Sequence, residues 1–157
     1  MSTSTADIKS LYPLPVYNYR VEIDGVPIAF SEVSGLAIAV ETTTYKESPT
    51  TSGKVGPTIL YMPSQPTMTT LTLKKGLVRG ASLATLYAWI NSTKINQIQK
   101  KDITIRLMDE TGAPVISWKV MNAFPTKLDA PTFDANSNDV AVESMTLTAD
   151  TLLIEEA

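Results

Sequence analysis

The residues that carry most enzymatic chemistry are absent from this sequence, which has no cysteine and no histidine among its 157 residues. Without cysteine there is no disulfide, no thiol nucleophile and no thiolate ligand for a metal. Without histidine there is no Ser-His-Asp triad, no HExxH motif and no imidazole base. A pair of carboxylates could still perform acid–base catalysis, but no spacing singles out such a pair. We therefore expect a protein that is not an enzyme and uses no metal or cofactor.

Charge and hydropathy argue against two further classes of function. The formal net charge is −3, and the basic residues form no cluster larger than Lys74-Lys75 and Lys100-Lys101. Because nucleic-acid binding depends on neutralising phosphates, we expect no nucleic-acid specificity. Residues 1–9 are polar, and no apolar run approaches the roughly 18 residues that a membrane-spanning helix needs. We therefore expect synthesis in the cytoplasm without a signal peptide, and no membrane insertion by the protein itself.

The elements that must position any functional surface are mostly β-strands. Residues 16–23 alternate between apolar and polar side chains, and Asp24-Gly25 follows as a strong signal for a tight hairpin turn. Pro27 places the return strand, 26–31, at a sheet edge. The same alternation predicts strands at 36–46, 67–75, 102–109, 113–121 and 140–149. We therefore expect a mainly β fold of about seven antiparallel strands, arranged as a small barrel or a sandwich.

Loops and one helix complete the predicted organisation. Residues 1–15 form a polar N-terminal arm, and residues 47–66 and 122–138 are rich in Pro, Gly, Ser or Asn and predict long loops. Residues 82–92 predict one flanking α-helix capped by Ser82, while Trp89 lies off its apolar stripe. That stripe is expected to face the core through Leu83, Leu86, Tyr87 and Ile90. No internal repeat or linker is present, which indicates a single domain over 1–157.

Several stretches, taken in their order and spacing along almost the whole chain, carry a resemblance to a known family. They are Phe30-Ser31-Glu32-Val33-Ser34-Gly35-Leu36, Tyr45-Lys46, Leu71-Thr72-Leu73-Lys74-Lys75-Gly76, Trp89-Ile90-Asn91-Ser92, Lys101-Asp102-Ile103, Asn122-Ala123-Phe124-Pro125-Thr126 and Phe133-Asp134-Ala135. The chain resembles the tail-tube proteins of contractile phage tails and of extracellular contractile injection systems of the antifeeding-prophage and Photorhabdus virulence-cassette type. The haemolysin-coregulated protein of type VI secretion has a similar fold.

The resemblance implies a split antiparallel β-barrel or sandwich with one flanking α-helix. It implies a structural subunit whose hexameric rings stack into an inner tube with a central channel for payload. It also implies the partners: further copies of the chain, a sheath protein, baseplate and tube-terminator proteins, and payload in the channel. The particle would be assembled in a bacterium and released extracellularly. The stretch after Tyr45-Lys46 is longer than in most main-tube members, so a specialised initiator or adaptor ring at the baseplate is an alternative. A monomeric β-sandwich binding module and an acid-only enzyme are the alternatives from other classes.

For a tube subunit, function resides in surfaces. We expect the long loop to reach a neighbouring subunit or ring through Ser48, Pro49, Gly53, Lys54, Ile59, Leu60, Tyr61 and Met62. Polar strand faces are candidates for the channel lining, with an ordinary solvated sheet face as the alternative; the residues are Asn18, Arg20, Glu22, Thr42, Thr70, Thr72, Thr104, Arg106 and Lys119. Asp129, Asp134 and Asp139 are candidates for contact with the sheath, or form a solvated acidic loop.

Overall fold

The structure, a computed structural model, describes residues 4–156 and confirms the mainly β fold. The strands of this part are β1 Tyr19–Ile23, β2 Val26–Ile28, β3 Glu32–Ser34, β4 Val40–Glu47, β5 Thr58–Pro66, β6 Thr69–Gly76, β7 Lys101–Met108, β8 Pro114–Asp129, β9 Val142–Ala149 and β10 Thr151–Glu156. Helix α1 spans Thr5–Leu11, and a π-helical turn at Leu83–Tyr87 runs into helix α2 at Ala88–Asn91.

Two antiparallel sheets share the long strand β8. The first sheet has the order β2-β1-β7-β8-β10, and the second has the order β8-β9-β6-β3. Trp118, in the first half of β8, stands opposite Ile105 of β7 and Ile154 of β10. Leu128, in the second half, stands opposite Met145 of β9. Because one strand belongs to both sheets, the sandwich is closed along that side, as expected for a split barrel.

One hydrophobic core lies between the inner faces of the two sheets. Val21, Ile103 and Val120 from the first sheet meet Leu73 and Leu147 from the second in a single buried cluster. Side chains of a strand alternate between faces, so the polar residues between these positions point away from the core. The outer faces of the two sheets therefore lie on opposite sides of the molecule.

The first hairpin agrees with the sequence prediction. Asp24 has φ 52° and Gly25 has φ 80°, the positive values that a two-residue type I′ turn requires. The return strand β2 lies at the end of the strand order, as Pro27 predicts.

Half of the segment 47–66 is strand, so the prediction of one long loop over the whole segment is wrong. Strand β5 pairs antiparallel with β4, and only residues 48–57 remain as the connection. Pro63 and Pro66 are compatible with this because one edge of β5 faces no other strand in the described chain. The preceding strand also begins later than predicted, at Val40 rather than Leu36.

Three further boundaries differ from the sequence prediction. Strand β8 continues to Asp129 instead of ending at Met121, because Pro125 lies beside a register shift where the missing N–H is tolerated. The short strands β3 and β10 had no counterpart in the predicted pattern. The polar arm contains α1, whose capping box joins the Ser4 hydroxyl and the Asp7 carboxylate to each other's backbone N–H groups. The part of the arm at residues 1–3 lies outside the described residues.

The helical segment presents to the core only part of the face that the sequence predicts. Of the predicted stripe, Leu86 is buried and Ile90 packs against the core, whereas Leu83 is 65% exposed and Tyr87 is also exposed. Trp89, predicted to lie off the stripe, is buried. The amide of Ala88 bonds to the carbonyl of Leu83, five residues back, and this wider turn alters which side chains share a face. Ser82 is itself helical, and its hydroxyl accepts from Val78 N at 2.9 Å instead of capping the helix.

Candidate assembly surfaces

Strands β4 and β5, with their connection, form an isolated hairpin that we call the hairpin arm (residues 40–66). Its two strands pair with each other and with no other strand between residues 4 and 156, and all their residues are exposed. Tyr45 stands opposite Leu60 on one face of the arm, while Lys46 stands opposite Ile59 on the other. A lone two-stranded hairpin is only marginally stable in water. The arm is therefore built like an element that packs against another molecule.

The predicted contact residues divide between the strand and the tip of this arm. Tyr61 and Met62 continue the apolar run of β5 together with Ile59 and Leu60. Ser48, Pro49, Gly53 and Lys54 lie in the connection 48–57. The structure thus places all eight on one protruding element, and their role in contacts between subunits stays a prediction.

The two ends of the barrel differ, as strand β7 shows. At its start, the ammonium of Lys101 lies 5.1 Å from the ring centre of Trp89, in the helical segment that closes this end. At its other end, Leu107 lines an open apolar cleft of about 1040 Å³. We call this cleft the open mouth; Tyr17, Tyr19, Phe30, Leu36 and Trp118 also line it. Apolar surface left open in this way is typical of a binding surface.

Tyr19 is held at the wall of the open mouth. Its hydroxyl donates to the carbonyl of Phe30 at 2.7 Å, which joins β1 to the segment between β2 and β3. Burial, with a smaller contribution from the Glu32 carboxylate, raises the pKa of the Tyr19 phenol above its ordinary value. The phenol is therefore neutral at physiological pH and acts as a hydrogen-bond donor that fixes the rim.

Five of the predicted channel residues lie together on the outer face of the first sheet. Arg20 stands opposite Arg106, and Thr104 stands opposite both Glu22 and Lys119. The Arg106 guanidinium contacts the Glu22 carboxylate at 2.5 Å, and the Lys119 ammonium contacts that of Glu155 at 2.8 Å. The face therefore carries mixed charges that are largely paired within the sheet.

The other four predicted channel residues lie elsewhere. Thr70 and Thr72 are on the outer face of the second sheet, which points away from the first across the core. Thr42 belongs to the hairpin arm. The Asn18 side chain donates to the Asp109 carbonyl at 2.7 Å, next to the turn between β7 and β8. The nine residues thus divide over separate surfaces, and the lining role remains a prediction for each group.

The three candidate sheath residues also fall into two groups. Asp134 and Asp139 line a shallow cleft in the connection between β8 and β9, next to the exposed ring of Phe133. Asp129 ends β8, is half-buried, and lies 3.5 Å from the Lys127 ammonium. Asp134 and Asp139 therefore form one acidic surface, and Asp129 belongs to the sheet.

The acids with clearly lowered pKa values have structural partners. The pKa of Asp109 is below its ordinary value because its carboxylate accepts from the Thr111 hydroxyl and from the amides of Ala113 and Thr111.

Across residues 4–156, no three or more acidic side chains are grouped so that they could hold a metal ion. In the same part of the chain, no helix is long and apolar enough to cross a membrane.

The family of the chain follows from comparison with known proteins. Residues 15–152 match the family model described as T4-like virus tail tube protein gp19. The chain belongs to this tail tube family. A comparison with functionally curated proteins finds no match.

Solved structures agree with this assignment. A chain of the PVC sheath–tube complex of an extracellular contractile injection system, in the extended state, is 42% identical, covers 99% of this protein and 100% of that chain, and has a TM-score of 0.88. A chain of the anti-feeding prophage tube terminating cap is 38% identical, with full coverage of both chains and a TM-score of 0.84. Hcp1 from Flavobacterium johnsoniae, at 15% identity, 90% and 97% coverage and a TM-score of 0.53, shares the fold.

The tail tube protein is thus of the tube or terminator type found in contractile injection systems, and its relatives are parts of extracellular injection particles. These relatives are structural proteins and not enzymes, so the prediction of a structural protein is confirmed. The predicted likeness to the haemolysin-coregulated protein fold is confirmed as well.

Proposed function

We propose that this protein is a subunit of the inner tube of a contractile injection system, in which hexameric rings stack around a central channel for payload delivery. The observation that carries the proposal is the hairpin arm, a folded element with every strand residue exposed. Such an arm gains burial when another copy covers it. Six subunits per ring is the number that the family resemblance implies.

Open strand edges support head-to-tail assembly. Strands β2 and β3 end the strand order, and β10 pairs with β8 alone, so each has one edge without a strand partner in the described chain. Exposed edges of this kind are normally covered, because their free N–H and C=O groups pair readily. A contact between two different surfaces of identical subunits closes into a ring when its rotation permits.

The outer sheet faces are suitable as the wall of a channel. On the second sheet, Thr70 stands opposite Thr148 and Thr72 stands opposite Thr146, which gives a row of small hydroxyl groups. On the first sheet, the charges of Arg106 and Lys119 are paired with neighbouring carboxylates. Either surface offers few unpaired charges to a passing payload, so it would hold the payload weakly.

The partners of this subunit are the sheath around the tube, the baseplate at one end and the terminator at the other, in a particle released from the bacterium. The acidic surface with Asp134 and Asp139 is the proposed sheath-facing part, since it is exposed on the connection between β8 and β9. A ring at the tube end is a second candidate, and the likeness to a chain of a tube terminating cap favours it.

Electron microscopy of the purified protein, together with its mass in solution, tests the proposal. We expect hollow six-fold rings or stacked tubes at high concentration. Single rings that do not stack would support a terminal or adaptor ring instead. A protein that stays monomeric, alone and with sheath or baseplate proteins added as a nucleus, would favour the binding-module alternative and contradict the proposal.

We predict that shortening the tip of the hairpin arm weakens assembly without unfolding the subunit. Deleting residues 48–57 and joining the strands with Asn-Gly, which favours a tight hairpin turn, should leave the melting temperature nearly unchanged. Assembly should weaken, because the tip residues can no longer reach a neighbouring subunit. The measurement is tube length and the critical concentration for assembly. Normal tubes from the shortened protein would exclude a role for the tip.

A further inference from the structure

We propose that Lys75 and Glu143, two buried side chains of opposite charge, lock the register in which β6 pairs with β9. The apolar pattern of the two strands fits several alignments, and the charges distinguish the observed alignment from the others. The proposal concerns the folding of a single subunit, so it holds or fails independently of the tube function proposed above.

The apolar pattern of these two strands leaves their register open. Leu71 and Leu73 of β6 are buried in the core, as are Met145 and Leu147 of β9, and the residues between them point outward. In the observed register Leu71 stands opposite Leu147, and Leu73 stands opposite Met145. Because side chains alternate with a period of two, a slip of two residues keeps the same side chains inside. Hydrophobic burial alone therefore does not select the observed alignment.

Lys75 and Glu143 distinguish the alignments because they are charged residues on the same inner face. They stand directly opposite each other, and their exposed fractions are 8% and 6%. The Lys75 ammonium donates to the Gly76 carbonyl at 3.4 Å, and the Oε1 atom of Glu143 has no hydrogen-bond partner in the described chain. The Cβ atoms of opposed residues are about 4.5–5.5 Å apart, so each charge compensates the other through the low dielectric of the interior.

A slip of the strands would separate the two charges. A slip of two residues in one direction would place Lys75 opposite Met145. A slip in the other direction would place Glu143 opposite Leu73. Either alignment leaves a buried charge without its partner, which is strongly destabilising. Compared with apolar residues of similar volume, a buried ion pair adds little stability, and fixing a register is its best-attested use.

The ion pair on the outer face of β6 is no substitute for the buried one. The Lys74 ammonium lies 3.0 Å from the Glu32 carboxylate of β3, but both side chains are roughly half exposed. Exposed pairs contribute little to stability because water screens them. Strand β3 has only three residues, so its ladder with β6 is also short.

The register of β6 decides the position of other functional surfaces. A slip of two residues would move β6 along β9 by about 7 Å, at about 3.4 Å per residue. The outer-face row in which Thr70 stands opposite Thr148 would then be misaligned. The hairpin arm would also be displaced, because β6 follows it after only residues 67 and 68.

Pairs of cysteines on the outer face measure the register, since the natural chain has no cysteine. Thr72 stands opposite Thr146, a separation that a disulfide can bridge, whereas Thr72 and Thr148 are diagonal neighbours about 7–8 Å apart and too distant. Thr70 and Thr146 are the diagonal pair in the other direction. Each double cysteine protein is refolded under oxidising conditions at low concentration. The cross-linked fraction of monomer then gives the ratio of diagonal to direct cross-link.

Replacement of both charges by apolar side chains of similar size tests the lock. Lys75→Met with Glu143→Leu should melt no more than about 5 °C below the original protein, but its ratio of diagonal to direct cross-link should rise at least about tenfold. The exchange Lys75→Glu with Glu143→Lys keeps the compensation, so its ratio should stay within about twofold of the original. Glu32→Gln with Lys74→Gln is the matched control on the same strand, and its ratio should also stay within about twofold.

An unchanged ratio in the apolar variant would overturn the proposal, because the register would then be held without the charges. As many diagonal cross-links in the charge exchange or in the exposed-pair control as in the apolar variant would overturn it too. If the apolar variant does not refold, Lys75→Gln with Glu143→Gln supplies the measurement with neutral polar side chains. A rise of about threefold or more in that variant would support the lock, and a smaller change would overturn it.

Discussion

At the scale of the single residue, Gly35 has little freedom to change. It has φ +88°, and a Cβ placed there would lie 2.5 Å from the carbonyl oxygen of Thr70, a backbone atom that cannot move aside cheaply. We expect Gly35→Ala to lower the free energy of unfolding by about 1–3 kcal/mol, measured by urea denaturation. Gly76→Ala is the control, because it has neither a positive φ nor an atom within 4 Å of the added Cβ. Equal stability of the two variants would contradict this explanation.

Asp109 gives a prediction about pH. Its folded pKa is depressed below the ordinary 3.8 by the Thr111 hydroxyl and by backbone amides. Stability from this carboxylate is therefore complete above the unfolded pKa and is lost as the pH falls through the folded value. The melting temperature of Asp109→Ala should lie below that of the original protein at pH 7, and the difference should narrow as the pH falls below the ordinary 3.8. Thr111→Val removes one hydrogen-bond donor to the Asp109 carboxylate, so we expect a smaller loss of melting temperature at pH 7 than in Asp109→Ala. A loss of melting temperature in Asp109→Ala that does not change with pH would show that the carboxylate is not its cause.

The first hairpin turn could be predicted from two neighbouring residues, because a tight turn depends on local backbone geometry. Asp24-Gly25 predicts a two-residue turn, and both residues have the positive φ values of that turn. The Ser4–Asp7 capping box of α1 had an equally local signal, a serine followed three residues later by an acid. The open mouth had no such local signal, because it is formed by β1, β2, β3, β7 and β8, which are far apart in sequence.

At the scale of elements, the helical segment separates two leucines that the sequence treats alike. Leu86 is fully buried in the core, whereas Leu83 is largely exposed. We expect Leu86→Ala to cost about 2–5 kcal/mol of unfolding free energy, and Leu83→Ala to stay within about 0.5 kcal/mol. Denaturant unfolding of both variants measures the difference. Equal losses would mean that the face predicted from the 3.6-residue period is the buried one after all.

Strand patterns were predicted well where one face is buried, and poorly where no face is. The alternation in β1, β6 and β7 agrees with their burial, because the core fixes which side chains point inward. In the hairpin arm both faces are exposed and both carry apolar side chains, such as Tyr45 and Tyr61. Most of β4 was predicted as part of the strand at 36–46, but in β5 the prolines indicated a loop. The pairing of β4 with β5 is therefore the part of the arm that the sequence did not predict.

At the scale of the whole molecule, the two outer sheet faces cannot both line one channel. Thr104 lies on the outer face of the first sheet and Thr72 on that of the second, with the core between them. If the proposed tube wall is one subunit thick, one face is turned to the channel and the other to the sheath.

Cysteine labelling identifies the channel face, because the natural chain supplies no competing thiol. Thr72→Cys and Thr104→Cys proteins, assembled into tubes, should differ in their reaction with a maleimide too large to enter the channel. We expect one site to be protected and the other to react, and both to react in dissociated subunits. Ile95→Cys, in an exposed loop, reports the reactivity of an accessible site. Since the second face carries small hydroxyls opposite one another, we expect protection at Thr72→Cys. Protection at Thr104→Cys would instead place the ion-paired face of Arg106 and Lys119 against the payload, and equal reaction of both would contradict a closed tube.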